Sequence, residues 1–385
     1  MTAPNPLRSL VDVFSEVVDP RVARTRAHPI ENVLTLALLG VISGAEGWED
    51  LQEFAKRKAP DLSQFLALSH GTPSADTFRR VFEALPPPAF HEALMRWMRP
   101  MLGNLAGQTI ALDGKALRGA MAHTRQGGAF HLLHVWATEQ RVLLAQAAVG
   151  GAGEEVPAAL ELLRSVDLTG ATVTADANFC TAGITQVIRD RGGHYLLALK
   201  GNRSTLHRHV ADCFATERDG DFATTKPDVQ KGRAHGRSEL RIVRAMSAAL
   251  LPHELRERWT DLESIVQVER LRLADELSFQ RSYYITSHAP QAKKLAPRVR
   301  DHWKIENELH HCLDVTFGDD RRAIRSEYGT ENFALLARFA LSLLKRNSGP
   351  SSTNKDKRSV RMKRKIAMWS DSYYLEVLNS GFPAI

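Results

Sequence analysis

The sequence predicts an α/β protein: an all-helical N-terminal region, then an α/β core that carries a β-rich insertion. Three observations carry this prediction. Residues 1–100 place their apolar side chains at helical spacing. After Gly107, three apolar, β-branched runs follow one another and give way to helix–strand–helix–strand texture, the order of an α/β layer. Two further alternating strands, Ser264–Leu273 and Ser278–Thr286, stand between a basic stretch and two late helices.

The elements follow in order. Ile30–Ser43 is strongly apolar and Trp48–Arg57 is amphipathic, so both read as helices. Ser74–Leu85 opens on a capping serine, Ser74. Pro86-Pro87-Pro88 breaks the pattern and Ala89–Met101 resumes it. Thr109–Asp113, Phe130–Thr138 and Val142–Val149 read as strands, the last two joined by a turn at Glu139–Arg141. Glu155–Ser165 reads as a helix, Ala171–Ala175 as a strand, Gly183–Arg191 as a helix and His194–Leu199 as a strand. From Arg203 to Leu250 the chain is polar and basic and encloses His235-Gly236-Arg237. Pro297–Leu313 and Glu331–Arg346 read as helices, and Ser348–Ser352 has linker composition. The run Lys355–Lys365 carries seven basic residues against one acid, Asp356, and reads equally as a solvated tail or as one that binds a polyanion non-specifically, and Tyr373–Leu378 closes as a short apolar helix. The expected divisions are 1–104, 105–202, 203–290, 291–347 and 348–385, with no internal repeat.

Bulk composition narrows the function classes. With 385 residues, the chain has room for two or three domains with sizeable cores. A net charge of +7 favours a polyanionic partner. Three cysteines, Cys180, Cys213 and Cys312, with no CxxC pair argue against a disulfide framework and fit a reducing cytosol. The most apolar stretch, Val33–Ile42, falls short of the ~20 residues a spanning helix needs. The opening MTAPNPLRSL lacks the pattern of a signal peptide, so a cytoplasmic protein with no membrane partner is expected.

Three acidic residues then stand out. Asp113 in TIALDGKALRG and Asp176 in ATVTADANF sit at or near strand ends, and Glu306 in HWKIENELHH sits on a helix. Each has an ordinary reading: a strand-to-turn aspartate, a helix cap, a charged helix face. Together, in a basic protein, they suggest a two-metal site for phosphodiester chemistry, since Mg²⁺ needs several hard oxygen ligands. A zinc site from His302, His310, His311 and Cys312 matches no common ligand spacing.

The ordered motifs resemble a known family, the DDE transposases of bacterial insertion sequences, and within it the subgroup that includes the H-repeat-associated proteins. The resemblance runs through Asp19-Pro20-Arg21, HPIENVLTLALLGVISGAEGWEDLQEFA and Pro73-Ser74 with Asp76-Thr77-Phe78. It continues through IALDGKALRG, VTADANF, YLLALKGN and His235-Gly236-Arg237 with Glu239 and Arg241. It closes with HWKIENELHHCLDVTFGDD, ENFALLARFALSLLKR and RSVRMKRKIAMWSDSYYLEVL.

The resemblance implies a ribonuclease H-like (retroviral-integrase-type) catalytic core with its β-rich insertion between the second Asp and the Glu. It implies a catalytic, metal-holding triad of Asp113, Asp176 and Glu306 with two Mg²⁺ or Mn²⁺ ions. It implies hydrolysis of a phosphodiester at the element end, followed by attack of the freed 3′-hydroxyl on target DNA. The partners would be double-stranded DNA, both terminal inverted repeats and target, and a second copy of the chain when assembled on DNA. The chain departs from the family at Asn178, Phe179 and Thr181, where relatives carry a small or Met residue and a Gln. It departs again at Leu309-His310-His311, where relatives read Leu-His-Trp. Val299 and His302 stand where better-known relatives carry a Tyr and an Arg, and the arginine's role is left open among Arg298, Arg300 and His302.

Around the triad, Lys115, Arg118, Lys200, Asn202, Arg237, His302 and Trp303 are candidates for contacting DNA. Trp303 has two readings, a core residue or a platform for a base, and the core reading is the commoner one for a helix Trp. Trp136 and Trp259 are read as core. Asp314, Asp319 and Asp320 could add a metal ligand or orient one, but pairing with Arg321, Arg322 and Arg325 is the expected role. Arg21, Arg24, Arg26, Arg79 and Arg80 are available in the N-terminal helices for the inverted repeat. The competing functions are an immobile or domesticated DDE-type nuclease and a non-catalytic DNA-binding remnant. The complete triad argues against the remnant.

Overall fold

The computed structural model describes residues 5–119, 130–151, 153–219, 225–234, 237–273, 277–347, 358–370 and 372–380. Five helices come first: α1 (Pro6–Ser15), α2 (Ile30–Ile42), α3 (Trp48–Leu62), α4 (Ala75–Ala84) and α5 (Pro87–Met98). Then come β1 (Thr109–Leu117), β2 (Phe130–Ala137), β3 (Val142–Val149), α6 (Glu155–Ser165), β4 (Thr172–Ala175), α7 (Ala182–Asp190) and β5 (His194–Leu199). The insertion supplies α8 (Ser204–Asp219), β6 (Asp228–Ala234), β7 (Arg237–Ser247), α9 (His253–Arg256), β8 (Ser264–Leu273) and β9 (Leu277–Thr286). The chain closes with α10 (Ala292–Lys304), a π-helical segment (Ile305–His310), α11 (His311–Phe317), α12 (Glu327–Arg346), α13 (Val360–Trp369) and α14 (Tyr373–Asn379).

The helical starts follow from local chemistry. Ser74 caps α4, its hydroxyl accepting from the Thr77 amide at 3.2 Å, as its position predicts. Pro87 occupies the first turn of α5, where its missing N–H costs nothing, so the proline run starts this helix. α2 is apolar on every side and correspondingly buried everywhere except Glu31. α1 and α12 cover it equally, and α12 also packs on α4, α5 and β3. Asn332 of α12 donates to the carbonyls of Phe82 (2.9 Å) and Leu85 (2.8 Å), satisfying the end of α4. Buried apolar side chains from Leu7 to Leu378 form one continuous cluster.

One nine-stranded sheet, ordered β3-β2-β1-β4-β5-β9-β8-β7-β6, runs through the described residues. β1, β2 and β3 are antiparallel neighbours, whereas β4 and β5 run parallel to β1. β9 pairs antiparallel with β5, so the strands of the insertion extend the core sheet edge to edge. A second apolar cluster joins Val243, Val266 and Val268 of this extension to Leu295, Ala296 and Val299 of α10.

Several sequence expectations are corrected here. β1 continues through Gly114 and Lys115 to Leu117 because β2 pairs with it throughout, with Leu117 opposite Phe130 and Asp113 opposite His134. Asp113 therefore sits within a strand, not at its end. The polar stretch after Arg203 contains α8, β6 and β7. The basic tail is not simply solvated: Lys363 and Arg364 on α13 are buried. Lys363 donates to the Leu344 carbonyl at 2.7 Å and to Asn347. Arg364 donates to the carbonyls of Val41, Ala45 and Thr316 and lies 4.1 Å from the centre of the Phe317 ring. Ser348–Ser352 and Lys355–Lys357 fall outside the described residues.

Candidate active site

Three neighbouring strands build the floor of the site. Register pairs Leu112 of β1 with Ala175 of β4, which brings Asp113 and Asp176, each one residue further on, side by side. On the other flank, Asp113 faces His134 of β2. Cross-strand partners share a face, so the floor reads Asp176, Asp113, His134 across the sheet. Asp176 also caps a short 3-10 turn, accepting from the Asn178 amide at 2.9 Å. The same side chain is therefore both a cap and a neighbour of Asp113. The longer helix α7 takes its cap from Thr181 instead.

Glu306 comes over this floor from the π-helical segment between α10 and α11. A π turn inserts one residue into the helical repeat, so it rotates the face that the following residues present. Here it sets Glu306 and His310 together over Asp113. The Nδ1 atom of His310 lies 3.1 Å from Glu306 Oε2 and 3.8 Å from Asp113 Oδ2. Ligand atoms of Asp113, Glu306 and His310 all lie within 4.8 Å of one another. Asp176 lies outside that trio but lines the same cavity of about 660 Å³ as Asp113 and Glu306.

The electrostatics suit a cation. Burial raises the Asp113 carboxyl to about 6, Asp176 and Glu306 add to the rise, and His310 and the Gly114 amide oppose it. The hydrogen bond from His310 lowers Glu306 below its usual range. Burial is the largest cause, so the Asp113 carboxylate lacks the water that would stabilise its charge. Three carboxylates lining one cavity supply hard oxygen donors that fit a divalent ion such as Mg²⁺ or Mn²⁺.

A buried network braces the histidines. The rings of His134 and His310 stand 5.3 Å apart. Arg338 of α12 donates from Nε to His134 Nε2 at 2.7 Å, which leaves the ring proton of neutral His134 on Nδ1. Burial, then Arg338, hold His134 well below the usual histidine range. Arg338 in turn donates to Asp319 at 3.0 Å, and Asp319 also accepts from Arg322 at 2.9 Å. Asp319 thus pairs with Arg322 as predicted, and with Arg338 besides. Asp314 and Asp320 do not follow the prediction: Lys115 lies 2.7 Å from Asp314 and 3.8 Å from Asp320.

The remaining candidates divide. Lys200, His302 and Trp303 line the cavity with the carboxylates. Lys115 is buried in its ion pair with Asp314, and Arg118 is exposed near Asp320 at 3.9 Å. Asn202 donates to the Ala177 carbonyl at 2.6 Å, tying the loop after β5 to the turn that carries Asp176. His302 shares a hydrogen bond with Thr174 at 3.2 Å, and burial pushes it down to about 4, so it is uncharged at neutral pH. Trp303 is 47% exposed, which overturns the core reading, whereas Trp136 and Trp259 are buried as expected. Arg237 opens β7, with its side chain outside the described residues, as are His235 and Gly236. Arg298 hydrogen-bonds Thr172 at 3.0 Å, at the opposite end of β4 from Asp176, while Arg300 faces a neighbouring groove. In the N-terminal region, Arg21 and Arg26 lie between α1 and α2, where Arg21 pairs with Asp19 at 2.7 Å and Arg26 donates to the Asp19 carbonyl at 2.9 Å, while Arg79 and Arg80 on α4 both pair with Asp76.

Sequence reasoning did not single out His134, Arg338 or the bracing role of His310. The signals were present: a histidine inside the apolar run FHLLHVWA, an arginine on an otherwise apolar helix face, and a histidine four residues after Glu306. No helix among the described residues is long and apolar enough to cross a membrane.

Comparison with known proteins fits this geometry. Residues 105–343 match the model of the transposase DDE domain, and residues 11–98 match that of the DDE_Tnp_1-associated region. YbfL of Escherichia coli strain K12 is 30% identical over 97% of this chain and 98% of its own length. The H repeat-associated protein YhhI of the same strain is 30% identical over 97% and 98%. An uncharacterized protein from the dhlA 3′ region of Xanthobacter autotrophicus is 37% identical over 71% of this chain and 93% of its own length. A piggyBac transposase synaptic complex with hairpin DNA aligns at TM-score 0.43 and 11% identity over 97% of this chain and 81% of that one, too distant to carry an argument. The chain belongs to the DDE transposase family, in the group of the H repeat-associated proteins.

Proposed function

We propose that the protein is an insertion-sequence DNA transposase that binds terminal inverted repeats, hydrolyses a phosphodiester at the element end and joins the 3′-hydroxyl to target DNA. The observation that carries this reading is the convergence of Asp113, Asp176 and Glu306 on one cavity. The strand order β3-β2-β1-β4-β5, antiparallel and then parallel, supports a ribonuclease H-like core. In this reading residues 1–104 engage DNA, 105–202 and 291–347 form the catalytic core, 203–290 are its insertion and 348–385 a basic tail. Two copies would hold the two element ends together, in the bacterial cytoplasm where the DNA lies.

Asp113, Asp176 and Glu306 would hold two Mg²⁺ or Mn²⁺ ions. Bound there, the ions would lower the pKa of the attacking hydroxyl and stabilise the leaving oxygen. The chain's own residues do the positioning. His310 holds Glu306 toward Asp113, and His134 and Arg338 hold the floor beneath His310. Asn202 fixes the turn that presents Asp176.

The test uses purified protein with Mg²⁺ and linear DNA carrying the element end. It should nick that end and join it to a plasmid, and Asp113→Ala and Glu306→Ala should lose both activities. Full activity in either variant refutes the assignment. Inverted repeats and a short target duplication flanking the gene separate a mobile transposase from an immobile nuclease.

A further inference from the structure

Beside the catalytic cavity lies a second one of about 700 Å³, and Trp303 and Glu306 line both. Its far wall is built from the extension of the sheet. Register sets Arg241 of β7 directly opposite Arg270 of β8, and Glu239 opposite Arg272. Like charges placed opposite one another across strands destabilise a sheet. Here both guanidinium groups are also largely buried, the Arg241 residue 8% exposed and the Arg270 side chain 12%.

One carboxylate serves the cluster. Glu239 lies 2.7 Å from Arg241, 2.8 Å from Arg272 and 3.9 Å from Arg270. Arg300 of α10 reaches the same cavity and makes no ion pair among the described residues. Among the described residues, Arg241 Nε is buried without a hydrogen-bond partner. Burial, and the neighbouring charges of Arg270 and Arg300, hold Arg241 below its usual range. The acids on the opposite wall are already engaged, Asp301 with Lys304 at 2.7 Å, Glu306 with His310 at 3.1 Å and Glu308 with Arg141 at 3.0 Å. Arg241 and Arg270, both largely buried, share Glu239 with the exposed Arg272, and the exposed Arg300 adds a further cation, so the groove holds more positive charge than Glu239 balances, which is the condition of an anion site.

We propose that this arginine groove binds the phosphodiester backbone of the DNA strand as it leaves the catalytic cavity past Trp303. The inference rests on the transposase reading and deepens it. A run of phosphates fits better than a single small anion, because the cations come from two strands and a helix in succession. Arg270 also stands 5.6 Å from the centre of the Trp303 ring, so the boundary between the cavities is itself cationic. The Glu239–Arg241 part of the HGR-x-E-x-R motif thereby gains a role: the glutamate ties Arg241 and Arg272 together at the wall of the groove.

Salt dependence tests this. Binding of a fluorescein-labelled duplex of mixed sequence is followed by anisotropy for the full chain, Arg272→Ala, Arg300→Ala, and Arg164→Ala on the exposed side of α6 as a control. Each lost phosphate contact should flatten the log–log salt slope by about 0.9, so the loss of affinity between about 50 and 200 mM salt shrinks about 3.5-fold per arginine. Arg272→Lys and Arg300→Lys, which keep the charge, should recover most of the slope. A parental slope in both alanine variants overturns the groove while leaving the transposase reading intact. A parental chain that does not bind the duplex sinks both.

Discussion

Replacing Asp319 with Asn should cost about 3–5 kcal/mol, the usual penalty for removing one partner of a buried ion pair. The structure gives the reasons. The Asp319 side chain is fully buried and accepts from Arg322 at 2.9 Å and Arg338 at 3.0 Å, both side chains themselves 8% exposed or less. Asparagine keeps the shape but turns a donor toward one guanidinium and leaves two buried cations uncompensated. The assay is urea denaturation followed by tryptophan fluorescence, with Arg338→Met and the double variant completing a cycle. Removing both partners should cost much less than the sum of the two single losses. Acid adds a sign check. Burial pushes the carboxyl up, but the two arginines outweigh it and hold the folded group at about 2, below its ordinary 3.8, so its stabilisation is present above 3.8 and lost as pH falls through 2. The Asn variant should lack that part of the acid limb. A loss under about 1 kcal/mol, or strict additivity in the cycle, would refute the view that this carboxylate is what neutralises the buried arginines.

Other consequences follow from the same geometry. His310→Ala should lower cleavage about 10–100-fold and weaken Mn²⁺ binding in calorimetry, because Glu306 loses its 3.1 Å partner. Asp113→Asn should lower cleavage on the order of 10³-fold or more, with duplex binding in anisotropy kept. Burial raises Glu331 to about 7, so the protonated form suits the fold and stability falls as pH rises from 4.5 through 7. Glu331→Gln should remove that fall, giving a higher melting temperature than the parent at pH 8. Arg364→Ala should cost about 1.5–3 kcal/mol and make α13 an early site of limited proteolysis, since its guanidinium alone ties α13 to the Val41, Ala45 and Thr316 carbonyls.

What the sequence discloses depends on whether the forces are local. α2 is legible because an all-round apolar run has one outcome, and Ser74 because a cap acts within three residues. The extent of β1 is not legible: Gly114 and Lys115 look like a turn, and only the distant partners Leu132 and Leu133 hold them in the sheet. α8 is hidden by its polar surface, and the π-helical segment by a one-residue insertion that periodicity does not register. The acids of the site were grouped through the family resemblance, since each one alone suits a turn, a cap or a helix face. His134, Arg338 and Asp319 come from three separate parts of the chain, and nothing short of the fold brings them into one line. Lys363 and Arg364 look solvated inside a basic run because their partners, backbone carbonyls, leave no trace in side-chain chemistry.

The Arg364 contact has a consequence in time. Every residue it holds is made before it, and 48 positions separate it from Thr316, at the end of the segment that carries Glu306. At about 5–20 residues per second, that is roughly 2–10 s of synthesis. Through that interval the helix behind Glu306 exists without its brace. Under the proposed function, the cleavage site would gain this buried brace only when translation has passed Arg364.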